Sequence, residues 1–304
     1  MDEFGGQVNL VYIDPPFNVG ADFSFTATVP PSPSEGEGWG EGGLSFTKEP
    51  SIIEQKAYRD TWGRGLDSYL QWFYETVILL HELLAEDGSI YVHLDYHVSH
   101  YAKSVLDEMF GANRFINEII WRRTGAHNDP GRYGNIHDVV FFYTKGESYV
   151  WNPQFVPHSE DSIQSSFLYA QGLDGTVIRL KKGEIPPPGY RRFQTVTLRS
   201  PHPRPNLWYE YKGYKPHPNG WSCTRERMEQ CDREERLFFP SSKEGAIRLK
   251  MSLDESPGVP VQDLWADIKK LESSSIERLG YETQKPEALL DRIIRASSNE
   301  GDLC

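Results

Sequence analysis

The chain has 304 residues, a net charge of −12 and a pI of about 5.3, and 38% of its residues are hydrophobic. This composition predicts a globular protein of one large domain or two smaller ones. Because the sequence has neither a long apolar run nor a signal-peptide pattern, we expect a cytoplasmic protein without a membrane partner. Its cysteines, Cys223, Cys231 and Cys304, fit neither a disulfide framework nor a zinc site.

The first predicted element is a buried strand over residues 8–13, which ends at Asp14-Pro15-Pro16-Phe17. Ligands bind at the carboxyl ends of such strands, and the prolines lack N–H groups, which leaves the local carbonyls available to a ligand. A carboxylate, a carbonyl and an aromatic ring suit a planar group with an exocyclic amine, such as an extrahelical adenine or cytosine. The alternative is an ordinary proline turn.

The following elements alternate between helices and strands. Helical spacing of apolar residues predicts helices over 66–84 and 97–110, and apolar runs predict strands over 89–95, 115–121 and 139–144. This order predicts an α/β layer with a largely parallel sheet. Asp95 ends the second strand, where it either lines the same cleft as Asp14 or caps the next helix.

The amino-acid composition changes at about residue 146, and from there to about residue 261 the chain is rich in proline, aromatic residues and arginine. Within it, residues 178–250 contain sixteen Lys and Arg against eight Asp and Glu, so this block carries +8 and the rest of the chain −20. Short strands and an Asn219-Gly220 hairpin are expected here. The block predicts DNA contacts by Arg191, Arg192, Arg199, Arg204, Lys212, Lys215, Arg225 and Arg227. For any single residue the alternative is a solvated side chain, and for the aromatic residues a hairpin core.

The last predicted element is a helix within residues 281–298, with Pro286 marking its start and Leu289, Leu290, Ile293 and Ile294 facing inward. Thr283, Gln284 and Lys285 precede it. The free N–H groups and the dipole of a helix N-terminus favour an anion, so this segment is either an anion site or a plain helix cap. The scattered histidines have no ligand spacing, and no metal site is assigned.

Three segments together resemble site-specific DNA methyltransferases of the β-type amino-methyltransferase group, including the modification subunits of type III restriction systems. Asp14-Pro15-Pro16-Phe17 resembles the catalytic motif, residues 83–95 the following helix end and strand, and residues 277–290, ERLGYETQKPEALL, the cofactor-side helix motif. Family members usually have proline in place of Glu282. The resemblance covers nearly the whole chain.

The resemblance implies a Rossmann-like, S-adenosylmethionine-dependent methyltransferase fold in permuted order with an inserted target-recognition domain. Residues 1–145 would be the catalytic half, 146–261 the target-recognition region and 262–304 the cofactor-side helix with the start of the next strand. Asp14, Pro15, Pro16 and Phe17 would be catalytic, and Thr283, Gln284, Lys285 and Pro286 would bind the cofactor. The implied partner is double-stranded DNA, and the family also allows a restriction subunit and a homodimer.

The implied reaction is methylation of the N6 amine of a flipped adenine, because the motif begins with Asp where cytosine enzymes typically have Ser. Cytosine-N4 methylation is the alternative within the class. In the family, a strand corresponding to Gly301-Asp302-Leu303 continues into an Asp-Pro-Phe-x-Gly-x-Gly loop that binds the methyl donor. Since the printed sequence ends before such a loop, we expect a truncated gene product with an incomplete sheet. A non-catalytic DNA-binding remnant is therefore a further alternative.

Overall fold

The computed structural model describes residues 4–16, 25–29, 44–48, 65–126, 131–272, 274–279 and 283–304. The chain divides into two compact units, a first unit of Met1–Gln154 with Val261–Cys304 and a second unit of Phe155–Pro260. Among the described residues, no helix combines the length and the apolar character needed to cross a membrane.

The first unit is built on a five-stranded mixed sheet. Its strands, in spatial order, are β1 (Val8–Ile13), β4 (Leu84–Leu94), β6 (His137–Thr144), β5 (Phe115–Arg122) and β14 (Leu264–Trp265). The β1/β4 and β5/β14 pairs are parallel, whereas β4/β6 and β5/β6 are antiparallel. The expectation of a largely parallel sheet is therefore wrong. The physical reason is that the described residues between β5 and β6, 123–126 and 131–136, contain no crossover helix of the kind that parallel neighbours need, and the two strands pair antiparallel.

A separate antiparallel pair, β2 (Phe25–Val29) with β3 (Leu44–Lys48), lies between β1 and the first helix in the chain. Two helices, α1 (Leu66–Leu83) and α2 (Ser99–Phe110), confirm the predicted helices within one or two residues at each end. Both are amphipathic, and they bury residues three or four positions apart, including Phe73 and Val77 of α1 and Leu106 of α2. These side chains form one core with Ile90 and Val92 of β4.

The opposite face of the sheet carries a second core. Since side chains alternate along a strand, Tyr91 of β4 points away from the α1 and α2 side and packs with Leu289 and Ile293 of α5 (Glu287–Ser297). The predicted inward position of Ile294 is wrong, because its side chain is 46% exposed. Burial along α5 follows positions 289, 293 and 296, and Ile294 lies beside that stripe.

The outer edge of β1 is partly covered by the last residues of the chain. The Leu303 carbonyl accepts hydrogen bonds from the amides of Asn9, at 2.8 Å, and Leu10, at 3.3 Å. The Asn9 side-chain oxygen accepts a bond from the Leu303 amide. Residues 301–304 are not assigned to a strand, although Leu303 forms these backbone hydrogen bonds with β1.

The second unit contains a five-stranded antiparallel sheet, two short helices and a two-stranded ladder. The sheet order is β11 (Leu237–Phe238), β12 (Arg248–Ser252), β10 (Arg191–Thr197), β8 (Tyr169–Gln171) and β9 (Val177–Arg179). The helices are α3 (Glu160–Ser166) and α4 (Arg225–Arg233), and the ladder joins β7 (Phe155–Val156) to β13 (Val259–Pro260). This ladder pairs the two ends of the unit.

The loops of the second unit differ from the predicted strands. Pro205–Leu207 is a 3-10 turn, and Asn219-Gly220 lies in a turn that no strand pair flanks, so the hairpin prediction is wrong. The tight two-residue reversal is instead at Lys212-Gly213, between the paired Tyr211 and Tyr214. Lys212 and Gly213 have φ of 48° and 80°, the left-handed values that this kind of turn requires.

Helix α2 is tied to β6 by Asp107, which accepts hydrogen bonds from Lys103 Nζ, at 2.7 Å, and from the Tyr143 hydroxyl, at 2.7 Å. Desolvation by burial raises the pKa of the Asp107 carboxyl, but the hydrogen bonds from Lys103 and Tyr143 outweigh it and the net pKa is lowered. A lowered pKa in the folded state means that ionised Asp107 stabilises the fold above the pKa of the unfolded chain, and that this stabilisation is lost as the pH falls.

We therefore expect Asp107→Asn to lower the free energy of unfolding by roughly 1 kcal/mol at pH 7. The difference from the unsubstituted chain should shrink as the pH falls from about 5 to 3, measured by urea unfolding at each pH. Asp291→Asn is the control, because Asp291 forms an exposed pair with Arg295 within one helix. A difference that is the same at pH 7 and pH 3 would contradict the assigned role of Asp107.

Candidate functional site

Asp14 lies directly after β1, at the carboxyl end of a strand that pairs in parallel with β4. Its side chain is 22% exposed, and its Oδ2 pairs with the ammonium group of Lys285, whose side chain is 13% exposed. Lys285 also donates to the Thr283 carbonyl, at 3.1 Å. The structure thus joins two of the segments that the sequence singles out, the Asp-Pro-Pro-Phe motif and the segment before α5.

Two acceptor atoms beside this ion pair have no described donor. Asp14 Oδ1 is buried without a hydrogen-bond partner, and no hydrogen bond reaches the carbonyl of Pro15 from the described residues. A buried, unpaired carboxylate oxygen costs free energy unless a ligand donor satisfies it. These are the two acceptors that the sequence predicts for an exocyclic amine. Phe17, the aromatic member of the motif, lies outside the described residues.

A cleft of about 490 Å³ opens over the strand ends of the first unit. This strand-end cleft is lined by Lys285, by Asp95 and Tyr96 after β4, and by Arg123 and Asp138 at the adjoining ends of β5 and β6. The sequence indicates Asp95 by the rule that selects Asp14, its position at a strand's carboxyl end. No sequence pattern indicates Arg123 or Asp138 as a site residue. The two lie close together because β5 pairs antiparallel with β6, and that pairing is not evident from the sequence.

Of the two positions that the sequence allows for Asp95, the structure shows the one in the cleft, whereas the N-cap residue of α2 is Val98 and no side chain caps that helix. Its side chain is buried, lines the strand-end cleft and accepts hydrogen bonds from the His97 amide, at 2.9 Å, and from His97 Nδ1, at 2.6 Å. The Asp95 carbonyl accepts from the Ser99 amide at the start of α2. Asp95 therefore fixes the chain turn that leads into the helix while it faces the cleft.

A buried polar chain crosses the sheet beneath the cleft. Fully buried His93 lies between the Tyr12 hydroxyl, 2.8 Å from Nδ1, and Asp138 Oδ2, 3.2 Å from Nε2. Arg123 Nε lies 3.1 Å from Asp138 Oδ1, in an ion-pair contact that is too bent for a hydrogen bond. Burial raises the pKa of the Tyr12 hydroxyl, and the nearby Asp14 and Asp138 carboxylates raise it further, so this phenol stays protonated.

The side-chain amide of Gln284 forms hydrogen bonds with the backbone of the loop before α5. Its amide oxygen accepts from the Leu279 amide, at 2.8 Å, and its amide nitrogen donates to the Glu277 carbonyl, at 2.7 Å. The Glu277 carboxylate in turn accepts from the Glu287 amide at the N-terminus of α5. Gln284 therefore holds the loop before the helix, and part of the predicted anion position is filled by Glu277. Pro286 is the N-cap residue of α5, where its missing N–H costs nothing.

The predicted DNA-contacting side chains fall into two groups within the second unit. Five are engaged inside the unit, with carboxylates, carbonyls or an amide as partners: Arg191, Arg192, Lys212, Arg225 and Arg227. The other three are exposed, and their side chains have no partner among the described residues: Arg199, Arg204 and Lys215. Most aromatic residues between them, including Tyr211, Tyr214 and Trp221, form the core, whereas Trp208 is 52% exposed.

No group of three His, Cys, Asp or Glu side chains in the described part of the chain is arranged to hold a metal ion. Comparison with known proteins gives the family. The family model for DNA methylases that modify N6 or N4 amines matches residues 8–304. The chain belongs to this DNA methylase family. Its members use S-adenosylmethionine as methyl donor.

The chain has several curated relatives. It is 28% identical over 301 residues to the type II methyltransferase M.EcaI of Enterobacter cloacae, covering 98% of this chain and 56% of the relative. It is 23% identical over 307 residues to the type III restriction-modification StyLTI Mod subunit of Salmonella typhimurium, covering 97% of this chain and 43% of the relative. It also matches the EcoP15I Mod subunit of Escherichia coli, with 26% identity over 48% of this chain and 22% of the relative. The chain thus spans about half of the length of the two relatives that it matches end to end.

Among solved structures, PvuII DNA methyltransferase, named as cytosine-N4-specific, is 15% identical with a TM-score of 0.28, covering 50% of this chain and 47% of that chain. This similarity is too low to bear on the fold or the target base of this chain.

The side-chain amide of Gln284 contacts the backbone of the loop before α5. Gln284→Ala removes both bonds to the loop backbone, so amide hydrogen exchange of residues 277–279 and 283–285 should accelerate by about tenfold, as expected for a net loss near 1.4 kcal/mol. Exchange is measured by mass spectrometry of peptides. Gln71→Ala is the control, because Gln71 bonds only to exposed Glu75 within α1. Unchanged exchange in Gln284→Ala would refute the structural role.

Proposed function

We propose that this chain is the methyltransferase portion of a site-specific DNA methyltransferase that modifies the N6 amine of a flipped adenine in duplex DNA. The observation that carries the proposal is the pair of open acceptors, buried Asp14 Oδ1 and the Pro15 carbonyl, at the carboxyl end of β1. Membership of the DNA methylase family supports the reaction class. The choice of adenine rests on the resemblance of the Asp14 motif to that of adenine enzymes.

The two acceptors explain how the protein would activate a poor nucleophile. The lone pair of an exocyclic amine is conjugated into the base, and accepting both N–H hydrogens at Asp14 Oδ1 and Pro15 O favours a tetrahedral nitrogen whose lone pair is free. Positive charge develops on that nitrogen as the new bond forms, and the Asp14 carboxylate stabilises it and then receives the departing proton. This interaction strengthens toward the transition state, so it accelerates the reaction.

The residues before α5 fit a donor that carries a carboxylate. S-adenosylmethionine supplies an electrophilic methyl group when bound, and its carboxylate matches the Lys285 ammonium beside Asp14. Thr283 lines the same cleft as Lys285. Gln284 fits less well, since its amide is used by the loop backbone. We therefore assign Lys285 and Thr283 to the donor and give Gln284 and Pro286 a supporting role.

The second unit is proposed as the target-recognition region. Its exposed cations suit phosphate contacts, which position a protein on DNA without reading sequence. Double-stranded DNA is accordingly the proposed partner. Because the type III relatives are named as Mod subunits of restriction-modification enzymes, a restriction subunit is a second proposed partner.

Asp14→Ala tests the catalytic assignment. Transfer of labelled methyl groups from S-adenosylmethionine to genomic DNA that lacks methylation should fall at least a hundredfold, while DNA affinity stays within about twofold. Asp87→Ala is the matched control, because Asp87 is an exposed acid near the opposite end of β4. Digesting the product to nucleosides identifies the base. If the digest contains N4-methylcytosine in place of N6-methyladenine, cytosine is the target base. Full turnover by Asp14→Ala would refute the mechanism.

A second experiment tests the exposed cations of the proposed recognition region. Replacing Arg199, Arg204 and Lys215 with Gln should weaken DNA binding and reduce the slope of log Kd against log salt by about 0.9 for each phosphate that the variant no longer neutralises. Fluorescence anisotropy at several salt concentrations measures both quantities. Arg191→Gln is the control, because Arg191 is already paired with Asp254 and Glu255. An unchanged slope in the triple variant would remove these residues from the DNA interface.

A further inference from the structure

The segment that follows β4 presents a braced aromatic ring. The Tyr96 ring lies against the His97 ring, with centroids 3.9 Å apart and an interplanar angle of 32°. His97 is held in turn by the buried Asp95 carboxylate through its backbone amide and through Nδ1. One of these hydrogen bonds holds the His97 backbone, and the other holds the ring that supports Tyr96. Such bracing reduces the entropy that a binding partner would otherwise lose by ordering this side chain.

Both rings line the strand-end cleft. Tyr96 is 39% exposed and lines the cleft together with Asp95 and Lys285. A single exposed aromatic residue on a protein surface needs no explanation. Here, however, the ring lies in a concave site and is packed against His97, and a flat aromatic surface of that kind suits a stacked planar ligand.

Tyr96 is also close in the fold to the proposed catalytic acceptors. Strands β1 and β4 are parallel neighbours, with Ile13 in register with Val92, so Asp14 and Tyr96 both follow strands that end at the same edge of the sheet. Lys285 connects the two positions, since it pairs with Asp14 and lines the cleft beside Tyr96.

The charges at the cleft indicate what kind of planar ligand binds. Lys270 and Arg278 line the cleft, both are exposed, and neither forms an ion pair among the described residues. The chain as a whole carries −12, so two unpaired cations at one cleft are a local exception. A nucleotide within a DNA strand has both a flat base and flanking phosphates, and it matches an aromatic ring flanked by cations.

We propose that Tyr96, braced by His97 and Asp95, is the stacking wall for the extrahelical target base. This inference rests on the proposed function, which supplies DNA as the partner. Tyr96 contacts the face of the base and holds it in the cleft, while Asp14 and Pro15 accept hydrogen bonds at its edge. Lys270 and Arg278 contact the phosphates on either side of the flipped nucleotide.

Binding to two labelled duplexes tests the proposal without a methyl donor. One duplex is fully paired, and the other has the same sequence with one bulged adenine. The unsubstituted chain should prefer the bulged duplex, and Tyr96→Ala and Tyr96→Leu should reduce that preference on the order of tenfold. Tyr96→Phe should retain it, because the aromatic face remains. Affinity for the paired duplex should be similar in all variants. Tyr101→Ala is the matched control, since Tyr101 is 50% exposed on α2 and does not line the cleft.

Three outcomes would overturn the proposal: no preference for the bulged duplex in the unsubstituted chain, the same preference in Tyr96→Leu, or a weaker affinity for S-adenosylhomocysteine as the main effect of Tyr96→Leu. The last outcome would assign the ring to the adenine of the methyl donor. Methyl transfer is measured separately. A chain that prefers the bulge through Tyr96 but transfers no methyl group would contradict the proposed function and leave the stacking wall intact.

Discussion

The ion pair between Asp14 and Lys285 is the interaction on which the organisation of the candidate site depends. It joins residues 271 positions apart in the chain, one after the first strand and one before the last helix. Both side chains are largely buried, and removing either partner from a buried pair leaves an uncompensated charge that is costly. The pair therefore joins the segment before α5 to the carboxyl end of β1, and the second oxygen of Asp14 has no hydrogen-bond partner among the described residues.

A chain of polar side chains crosses the sheet near this pair, at a depth where buried side chains are usually apolar. Tyr12, His93 and Asp138 come from three neighbouring strands and satisfy one another across the sheet. A buried polar network of this kind stabilises the fold only when its members are paired, because an unpaired member would keep its desolvation cost. The network thus fixes the register of β1, β4 and β6 at the end of the sheet where Asp14 and the strand-end cleft lie.

In the basic block, contacts within the fold reduce the number of Lys and Arg side chains that are available to bind DNA. Its charge of +8 is evident from the sequence, yet five of the eight predicted contact residues have partners inside the second unit. Only an exposed cation without an internal partner can release counterions from DNA at little cost to the fold. Arg199, Arg204 and Lys215 meet that condition, and they form a smaller and more specific set than the sequence suggests.

The sequence by itself determined most of the local elements, and it indicated the residues that we propose for the chemistry. Apolar periodicity placed α1, α2 and the four strands β1, β4, β5 and β6, since each pattern depends on spacing within one segment. The Asp-Pro-Pro-Phe motif and the segment before α5 were recognisable for the same reason. Only the tertiary structure decided that β5 and β6 run antiparallel, that Lys285 reaches Asp14 and that Gln284 serves the loop. These features are contacts between residues distant in the chain, or between a side chain and a particular backbone conformation, and spacing within one segment holds no information about them.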